Sequence, residues 1–150
     1  MSDSSFPSTE EAVTRIVAFF EQLTPGDVAA IDRFYAPQAR FKDPFNEVQG
    51  VAPIQQIFSH MFVALHEPRF VVTGRVVQGA QCFLTWDFVF CFRNFQQGRT
   101  QTVRGASHLV LDAQGRITLH RDYWDAAEEL YEKLPVVGWL MRWLKKRASS

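Results

Sequence analysis

The sequence predicts one α+β domain, in which helices come first and an antiparallel sheet follows. Apolar residues recur at helical spacing before Glu67, and from Arg69 onward the apolar period changes to two. Short turn signals separate the alternating segments, so consecutive strands form antiparallel hairpins. Helices in one part of the chain and hairpins in another indicate helices that cover one face of a sheet.

Length and composition favour a single domain that spans residues 1–150, of which 1–8 are expected to be disordered. The 150 residues carry 16 basic and 16 acidic side chains, which excludes the basic excess of a nucleic-acid binder. The polar, acidic start is no secretory signal, and no apolar run approaches the roughly 20 residues of a membrane span. Cys82 and Cys91 lie on one predicted strand about 30 Å apart, too far to pair. These features predict a cytoplasmic protein with free thiols.

Caps and periodicity define three N-terminal helices. Ser8 stands three residues before a glutamate, the spacing of a capping box, and an apolar stripe follows. The second helix covers about Val28 to Tyr35 and ends before a proline. The third follows Gly50 and ends at Glu67. Its apolar residues recur at i, i+3, i+4 and i+7 and form one face.

Five strands and a C-terminal helical extension over residues 126–147 complete the prediction. The last helix of the extension, Val136 to Arg147, sets Trp139 and Trp143 opposite a basic arc. Such a helix fits a lid, a partner contact or a membrane surface, although packing onto its own protein is the commonest outcome. The strands are predicted at Ala39–Asp43, Arg69–Gln78, Gln81–Phe95, Arg99–Leu111 and Arg116–Trp124.

Strand parity indicates which side chains share a face of the sheet. The even positions of Gln81–Phe95 form a nearly pure apolar face, and Asp87 points to the other side. In the last strand His120, Asp122 and Trp124 point the same way. A carboxylate, an imidazole and a large ring together suit proton transfer, but parity alone fits a surface ion pair equally well.

Several short motifs, in their order and spacing from about Glu11 to Asp125, resemble the nuclear-transport-factor-2-like superfamily. They are Gly-Asp between the first helices, Phe-Tyr-Ala after them, Phe41-Lys-Asp-Pro-Phe45, Gly50, Gly-Arg-Ile at 115–117 and Tyr-Trp-Asp at 123–125. The resemblance is to the SnoaL-like and ketosteroid-isomerase-like branch. It implies a cone, in which a curved, mostly antiparallel sheet wraps around the helices and encloses an apolar pocket.

The resemblance also implies roles for individual residues. Asp43 matches the position of the proton-moving aspartate of ketosteroid isomerases, and Asp122 matches a catalytic carboxylate of some SnoaL-like cyclases, which places His120 and Asp122 on the concave face. The two oxyanion positions of the isomerases read Phe19 and Ser107, which argues against steroid isomerase activity, since losing one such donor costs about 100- to 1,000-fold in rate.

We therefore expect Asp43, Asp122 and His120 to be the catalytic residues of an isomerase- or cyclase-type enzyme that moves protons on an apolar cyclic or carbonyl-containing molecule. An Asp-Pro turn at Asp43 and a structural hydrogen-bonded pair at His120 and Asp122 are the competing interpretations. The predicted substrate-binding residues are Phe19, Tyr35, Phe58, Phe62, Trp86, Ser107 and Trp124.

No metal site and no cofactor are expected, because the four histidines lack ligand spacing and no phosphate-binding glycine loop is present. The resemblance implies a homodimer through the convex sheet face, which Val89, Cys91, Ala106 and Val110 would suit. The alternative function is a non-catalytic domain that binds a ligand or another protein, with the tail helix as lid or contact surface.

Overall fold

The computed structural model describes residues 6–93, 98–129, 143–144 and 146–148. The helices are α1 (Thr9–Glu21), a 3₁₀ helix (Pro25–Arg33), α2 (Val51–Ala64) and the short α3 (Ala126–Glu129). The strands are β1 (Tyr35–Lys42), β2 (Glu47–Gln49), β3 (Leu65–Gln78), β4 (Gln81–Phe92), β5 (Gln101–Leu111) and β6 (Ile117–Tyr123).

The six strands form one curved sheet in the order β2-β1-β6-β5-β4-β3. The pairs within β3-β4-β5-β6 are antiparallel hairpins, as the short turns predict. The exception is β1, which runs parallel to β6 because the long connection through α2 separates it from the other strands. The α+β prediction, with helices against one face of a mostly antiparallel sheet, is confirmed.

The first helix begins where the capping box places it. The Ser8 hydroxyl accepts a hydrogen bond from the Glu11 backbone N–H at 3.2 Å, and α1 buries its apolar stripe. At the other end of α1, the Glu21 carboxylate accepts the Val72 backbone N–H at 3.0 Å, so α1 is tied to the edge strand β3. This contact fixes the helix across the concave side of the sheet.

The second predicted helix is present, but its type and its bounds differ from the predicted Val28 to Tyr35. A 3₁₀ helix covers Pro25–Arg33, and Tyr35 is already the first residue of β1. The Asp27 carboxylate accepts a hydrogen bond from the Thr24 backbone N–H at 2.9 Å, which starts the helix earlier than expected. An apolar pattern that covers only two helical turns does not distinguish a 3₁₀ helix from an α-helix.

Two strands begin four residues earlier than predicted, and the short strand β2 was not predicted. β1 starts four residues earlier than expected and contains Pro37, because its register with β6 is irregular between Tyr35 and Arg40. β3 begins at Leu65 and runs through Glu67, which has a φ of 49°, where its pairing with β4 shifts. The irregularity accommodates the following proline, which the sequence suggested would end a helix.

The core lies between α1, α2 and the concave face, and it includes fully buried residues from every layer, such as Ile16, Ile31, Ile54 and Leu109. Cys82 is buried and Cys91 half-buried, and both thiols are free, as predicted. No helix within the described residues is long and apolar enough to cross a membrane. Most of the predicted 126–147 extension, including Trp139, lies outside the described residues, as does most of the segment 1–8.

Candidate functional site

An apolar cavity of about 360 Å³ opens between the concave face of the sheet and the helices α1 and α2. Cavities of this size hold small organic ligands in other proteins. Ten aromatic rings line it: Phe20, Phe41, Phe45, Phe58, Phe70, Trp86, Phe88, Phe90, Phe92 and Trp124. Much of the high aromatic content of the sequence therefore lies around this cavity.

Strand β4 supplies the main wall. Its even positions from Leu84 to Phe92 all line the cavity, as parity predicts, and Trp86 is almost fully buried. The ring of Trp86 covers Gly105 on the neighbouring strand, where an added Cβ atom would overlap the indole. The missing side chain at Gly105 is what lets the indole lie flat against β5.

The polar part of the cavity is a cluster on β5 and β6 centred on Asp122. The Oδ1 atom of Asp122 accepts two hydrogen bonds, from the Ser107 hydroxyl at 2.5 Å and from Nε2 of His120 at 2.7 Å. Ser107 in turn accepts a hydrogen bond from the indole N–H of Trp86 at 2.8 Å. All four side chains line the cavity, so the expected pairing of His120 with Asp122 lies on the concave face.

The other carboxylate oxygen of Asp122 has a different environment. Within the described part of the chain no residue donates a hydrogen bond to Oδ2. The Asp122 side chain is 15% exposed, and it borders both the cavity and a neighbouring outer groove. Oδ2 is thus the oxygen available to a bound molecule, while Oδ1 holds the carboxylate in place.

Behind the cluster, Tyr35 anchors the imidazole from inside the core. Its side chain is fully buried, and its hydroxyl lies 2.6 Å from Nδ1 of His120 with the two rings parallel. Burial, reinforced by the negative charge of Asp122, raises the pKa of Tyr35 well above its ordinary value of 10.0. The hydroxyl therefore keeps its proton at neutral pH.

The hydrogen-bond partners fix the tautomer of His120. Nε2 faces the acceptor Asp122 and so carries a proton, while the hydroxyl of Tyr35 finds its described acceptor in Nδ1. This arrangement assigns to His120 the tautomer in which Nδ1 accepts the hydrogen bond from the Tyr35 hydroxyl. Phe41 and Phe20 pack around the ring at centroid distances of 4.6 and 5.7 Å, and His120 is buried.

Asp43 also lines the cavity, but its carboxylate is occupied by its own turn. Oδ1 accepts the backbone N–H groups of Phe45 and Asn46 at 2.8 and 2.6 Å, and the Asn46 side-chain amide contacts both oxygens at 3.1 and 3.2 Å. This is the Asp-Pro turn that the sequence left open as the competing interpretation. The turn brings Phe45 against Trp124 at the cavity rim, with ring centroids 5.5 Å apart.

Three of the predicted substrate-binding residues do not line the cavity. Phe19 stacks on Phe34, with ring centroids 4.1 Å apart, and does not line the cavity. The neighbouring Phe20 lines the cavity instead. Phe62 packs against the core outside the cavity, and Tyr35 lies behind His120. The others, Phe58, Trp86, Ser107 and Trp124, do line it.

Sixteen further residues that were not predicted as site residues also line the cavity, among them Phe20, Met61, Asn46 and His60. Phe20 and Met61 belong to the predicted apolar helix faces, so helical periodicity identifies them as core residues only. The position of His60 on the third helix predicts a solvated side chain, and it is indeed exposed at the helix surface while it borders the opening. Within the described residues, no group of three or more His, Cys, Asp or Glu side chains is placed to hold a metal ion.

The fold and the cavity together define a known class of domain. The sequence model of the SnoaL-like domain matches residues 16–120, and the chain belongs to this family. The resemblance seen in the sequence is thereby confirmed at the level of the superfamily. No curated protein sequence matches the chain.

Solved structures share the fold at low sequence identity. A SnoaL-like polyketide cyclase from Jannaschia sp. is 14% identical, with a TM-score of 0.68 over 85% of this chain and 92% of its own. An epoxide hydrolase of the LEH-like type from M. tuberculosis is 19% identical, with a TM-score of 0.67 over 82% and 89%. A polyketide cyclase from Acidithiobacillus ferrooxidans is 22% identical, with a TM-score of 0.64 over 86% and 94%. The different activities named for these proteins show that the likeness extends to the fold alone.

Proposed function

We propose that this protein binds an apolar cyclic or carbonyl-containing molecule in the cavity and moves a proton on it, with Asp122 as the general base. One observation carries the proposal. A carboxylate on the wall of an otherwise apolar cavity is held by two hydrogen bonds at Oδ1, and no described residue bonds its Oδ2. A base must be fixed, close to the substrate and unoccupied, and Oδ2 of Asp122 meets all three requirements.

The surrounding residues have supporting roles in this mechanism. Ser107 and His120 hold the Asp122 carboxylate in one orientation, and Tyr35 holds His120. Oδ2 takes a proton from a substrate carbon and returns it to the same molecule at another atom, which is the net change in an isomerisation or a cyclisation. The aromatic wall binds the apolar body of the substrate and excludes water.

Steroid isomerisation does not fit this arrangement. The helix position that would supply an oxyanion donor is a phenylalanine whether Phe19 or Phe20 is considered, and the hydroxyl proton of Ser107 is already given to Asp122. Without those donors we expect acid–base catalysis at the low end of its usual range, about 100-fold.

Hydrogen exchange tests the proposal without knowledge of the natural substrate. β-Tetralone, an apolar bicyclic ketone, is incubated with the protein in D₂O, and deuterium uptake at the carbons next to the carbonyl is followed by NMR. We expect the wild type to accelerate uptake and Asp122→Asn to remove about 100-fold of that acceleration, because the amide cannot accept the proton.

The matched control is Asp87→Asn, which changes the same residue type on the outer face of the sheet, opposite Arg104 in the β4–β5 pairing. It should leave exchange unchanged. An Asp122→Asn variant that binds β-tetralone normally and exchanges it as fast as the wild type would rule out Asp122 as the base.

The alternative is a ligand-binding domain without catalysis. The observation that favours it is that the polar protons of Ser107, Trp86 and His120 are all used inside the cluster, as expected of a purely structural network. This alternative predicts that β-tetralone binds in the cavity and that neither wild type nor variant accelerates its exchange.

We also propose that two copies pair through the convex face of the sheet. Phe83 stacks on His108 there at 4.5 Å and remains 45% exposed, and Val76 beside it is 66% exposed. A contiguous apolar patch of this kind is typical of contact surfaces. Phe83→Glu should convert a dimer to a monomer in light scattering, and a monomeric wild type would contradict the pairing.

A further inference from the structure

We propose that the ligand of the cavity is an apolar organic cation, such as a protonated amine attached to a hydrocarbon ring system. The proposal rests on the ligand-binding part of the proposed function, which the non-catalytic alternative shares, because an N–H group bound at Oδ2 of Asp122 occupies the oxygen that a base would use. It follows from three features of the cavity wall: its fixed charges, the hydrogen-bonding capacity that it leaves open, and its aromatic rings.

The fixed charges on the wall are negative. Among the described lining residues, Asp43 and Asp122 carry carboxylates, and none is a lysine or an arginine. The titratable groups that remain are His60 and His120, and the two ring nitrogens of His120 are already engaged with Tyr35 and Asp122. An anionic ligand would enter a space of the same sign, with no cation to pair with it.

Two basic side chains lie close to the Asp122 end of the cavity without lining it. Lys42 and Arg121 lie side by side in the β1–β6 pairing and line a neighbouring groove, which Asp43, Asp122 and Trp124 also border. Lys42 lies 3.8 Å from Glu47, and the guanidinium of Arg121 packs over the ring of Tyr123 at 4.7 Å. Within the described residues, neither of these two side chains forms an ion pair with Asp122.

The cluster around Asp122 can still accept a hydrogen bond from a ligand, but its own protons are already donated within the cluster. Ser107, Trp86 and His120 have each given their proton to another member of the cluster, and Oδ2 of Asp122 still lacks a donor from the described residues. A carboxylate oxygen beside an apolar space needs a donor, and a charged N–H group is the strongest one a ligand can bring. Ten aromatic rings around the same space favour a cation further, since ring faces attract positive charge.

Three probes of nearly equal shape test the proposal. They are β-naphthylmethylammonium, β-naphthylmethanol and β-naphthoate, and binding of each to the intact protein is measured by calorimetry at pH 7. We expect the ammonium to bind about 10- to 100-fold more tightly than the alcohol, which is the size of one charge-assisted hydrogen bond, and the carboxylate to bind most weakly.

Asp122→Asn should reduce the preference for ammonium over alcohol to within about twofold, while the alcohol, which is uncharged, still binds and shows that the cavity is intact. Asp87→Asn, on the outer face, should keep the full preference. The proposal is overturned if naphthoate binds as tightly as the ammonium, if the preference survives in Asp122→Asn, or if none of the probes binds.

These outcomes separate the ligand class from the proposed catalysis. Exchange of β-tetralone that depends on Asp122, together with equal binding of all three probes, would keep the base and reject the cation. Selective binding of the ammonium without any exchange would keep the ligand class and favour the non-catalytic alternative.

Discussion

Asp122 and Asp43 reach the same cavity, but they are bound in opposite ways. Asp43 is enclosed by donors from residues two and three positions further along the chain, and these reach both of its oxygens. Asp122 is held at a single oxygen by side chains on β5 and β6. The Asp43 carboxylate stabilises a turn. Asp122 has one oxygen, Oδ2, that accepts no hydrogen bond from the described residues. Both carboxylates lie on the cavity wall, so position alone does not distinguish them. The candidate base is the carboxylate that has an oxygen without a hydrogen-bond donor.

The largest expected difference between the two acids is in stability. It should appear when one hydrogen-bond donor is removed beside Asp122 and one beside Asp43. Ser107→Ala leaves the buried N–H of Trp86 without its acceptor and takes a donor from Asp122, so it should lower the free energy of unfolding by about 3 kcal/mol. Asn46→Ala leaves Asp43 two backbone donors and should cost less than about 1 kcal/mol. Chemical denaturation measures both, and equal losses would contradict the distinction.

The second largest effect on stability is expected where the Trp86 indole packs on Gly105. In Gly105→Ala the new methyl group would overlap the Trp86 indole, and the ring must shift into the cavity. Overpacking of this kind costs about 2 kcal/mol. The loss should appear as a lower melting temperature and weaker binding of β-tetralone.

Gly26→Ala is the matched control, because the nearest atom to its new methyl group would be 3.8 Å away. Its stability should stay within about 0.5 kcal/mol of the wild type. If Gly105→Ala were tolerated equally well, the close packing of the indole on β5 would be refuted.

A smaller effect is expected from Tyr35→Phe, which removes the donor to Nδ1 of His120. The buried nitrogen then lacks a partner, so the free energy of unfolding should fall by about 1 to 2 kcal/mol. Nitrogen NMR of the imidazole should show an unprotonated Nδ1 and a protonated Nε2 in the wild type. The opposite tautomer would disprove the orientation assigned to His120.

The same variant tests the alkaline pH dependence. Because the folded protein holds the pKa of Tyr35 above its unfolded value near 10, the folded state binds more protons than the unfolded state at higher pH. The wild type should therefore lose stability as pH rises above about 10. Tyr35→Phe should lose less over the same range, and identical slopes would show that this hydroxyl is not buried.

Sequence reasoning succeeded where alternation decides the outcome. The apolar even positions of β4 and the shared face of His120 and Asp122 follow from the period of two, and both lie on the cavity wall. Asp43 could not be settled in this way, because its turn depends on which donors meet its carboxylate. The choice between Phe19 and Phe20 also failed, since adjacent helix residues both border the apolar stripe and only packing against Phe34 decides which one turns away.

The non-local contacts lay beyond the sequence for a physical reason. Tyr35 is 85 residues from His120, and its predicted place at the end of a helix offers no reason to set it beneath the imidazole. The 3₁₀ helix shifts the start of β1, and the parallel pairing of β1 with β6 then brings Tyr35 opposite Ile117. Neither step leaves a periodic signal in the residues themselves.

The most direct test of the account compares Asp122→Asn with Asp43→Asn in the β-tetralone exchange assay, since asparagine can still accept hydrogen bonds in the turn. We expect the acceleration to fall about 100-fold in Asp122→Asn and less than about threefold in Asp43→Asn. A larger loss at Asp43 than at Asp122 would contradict the assignment of the base.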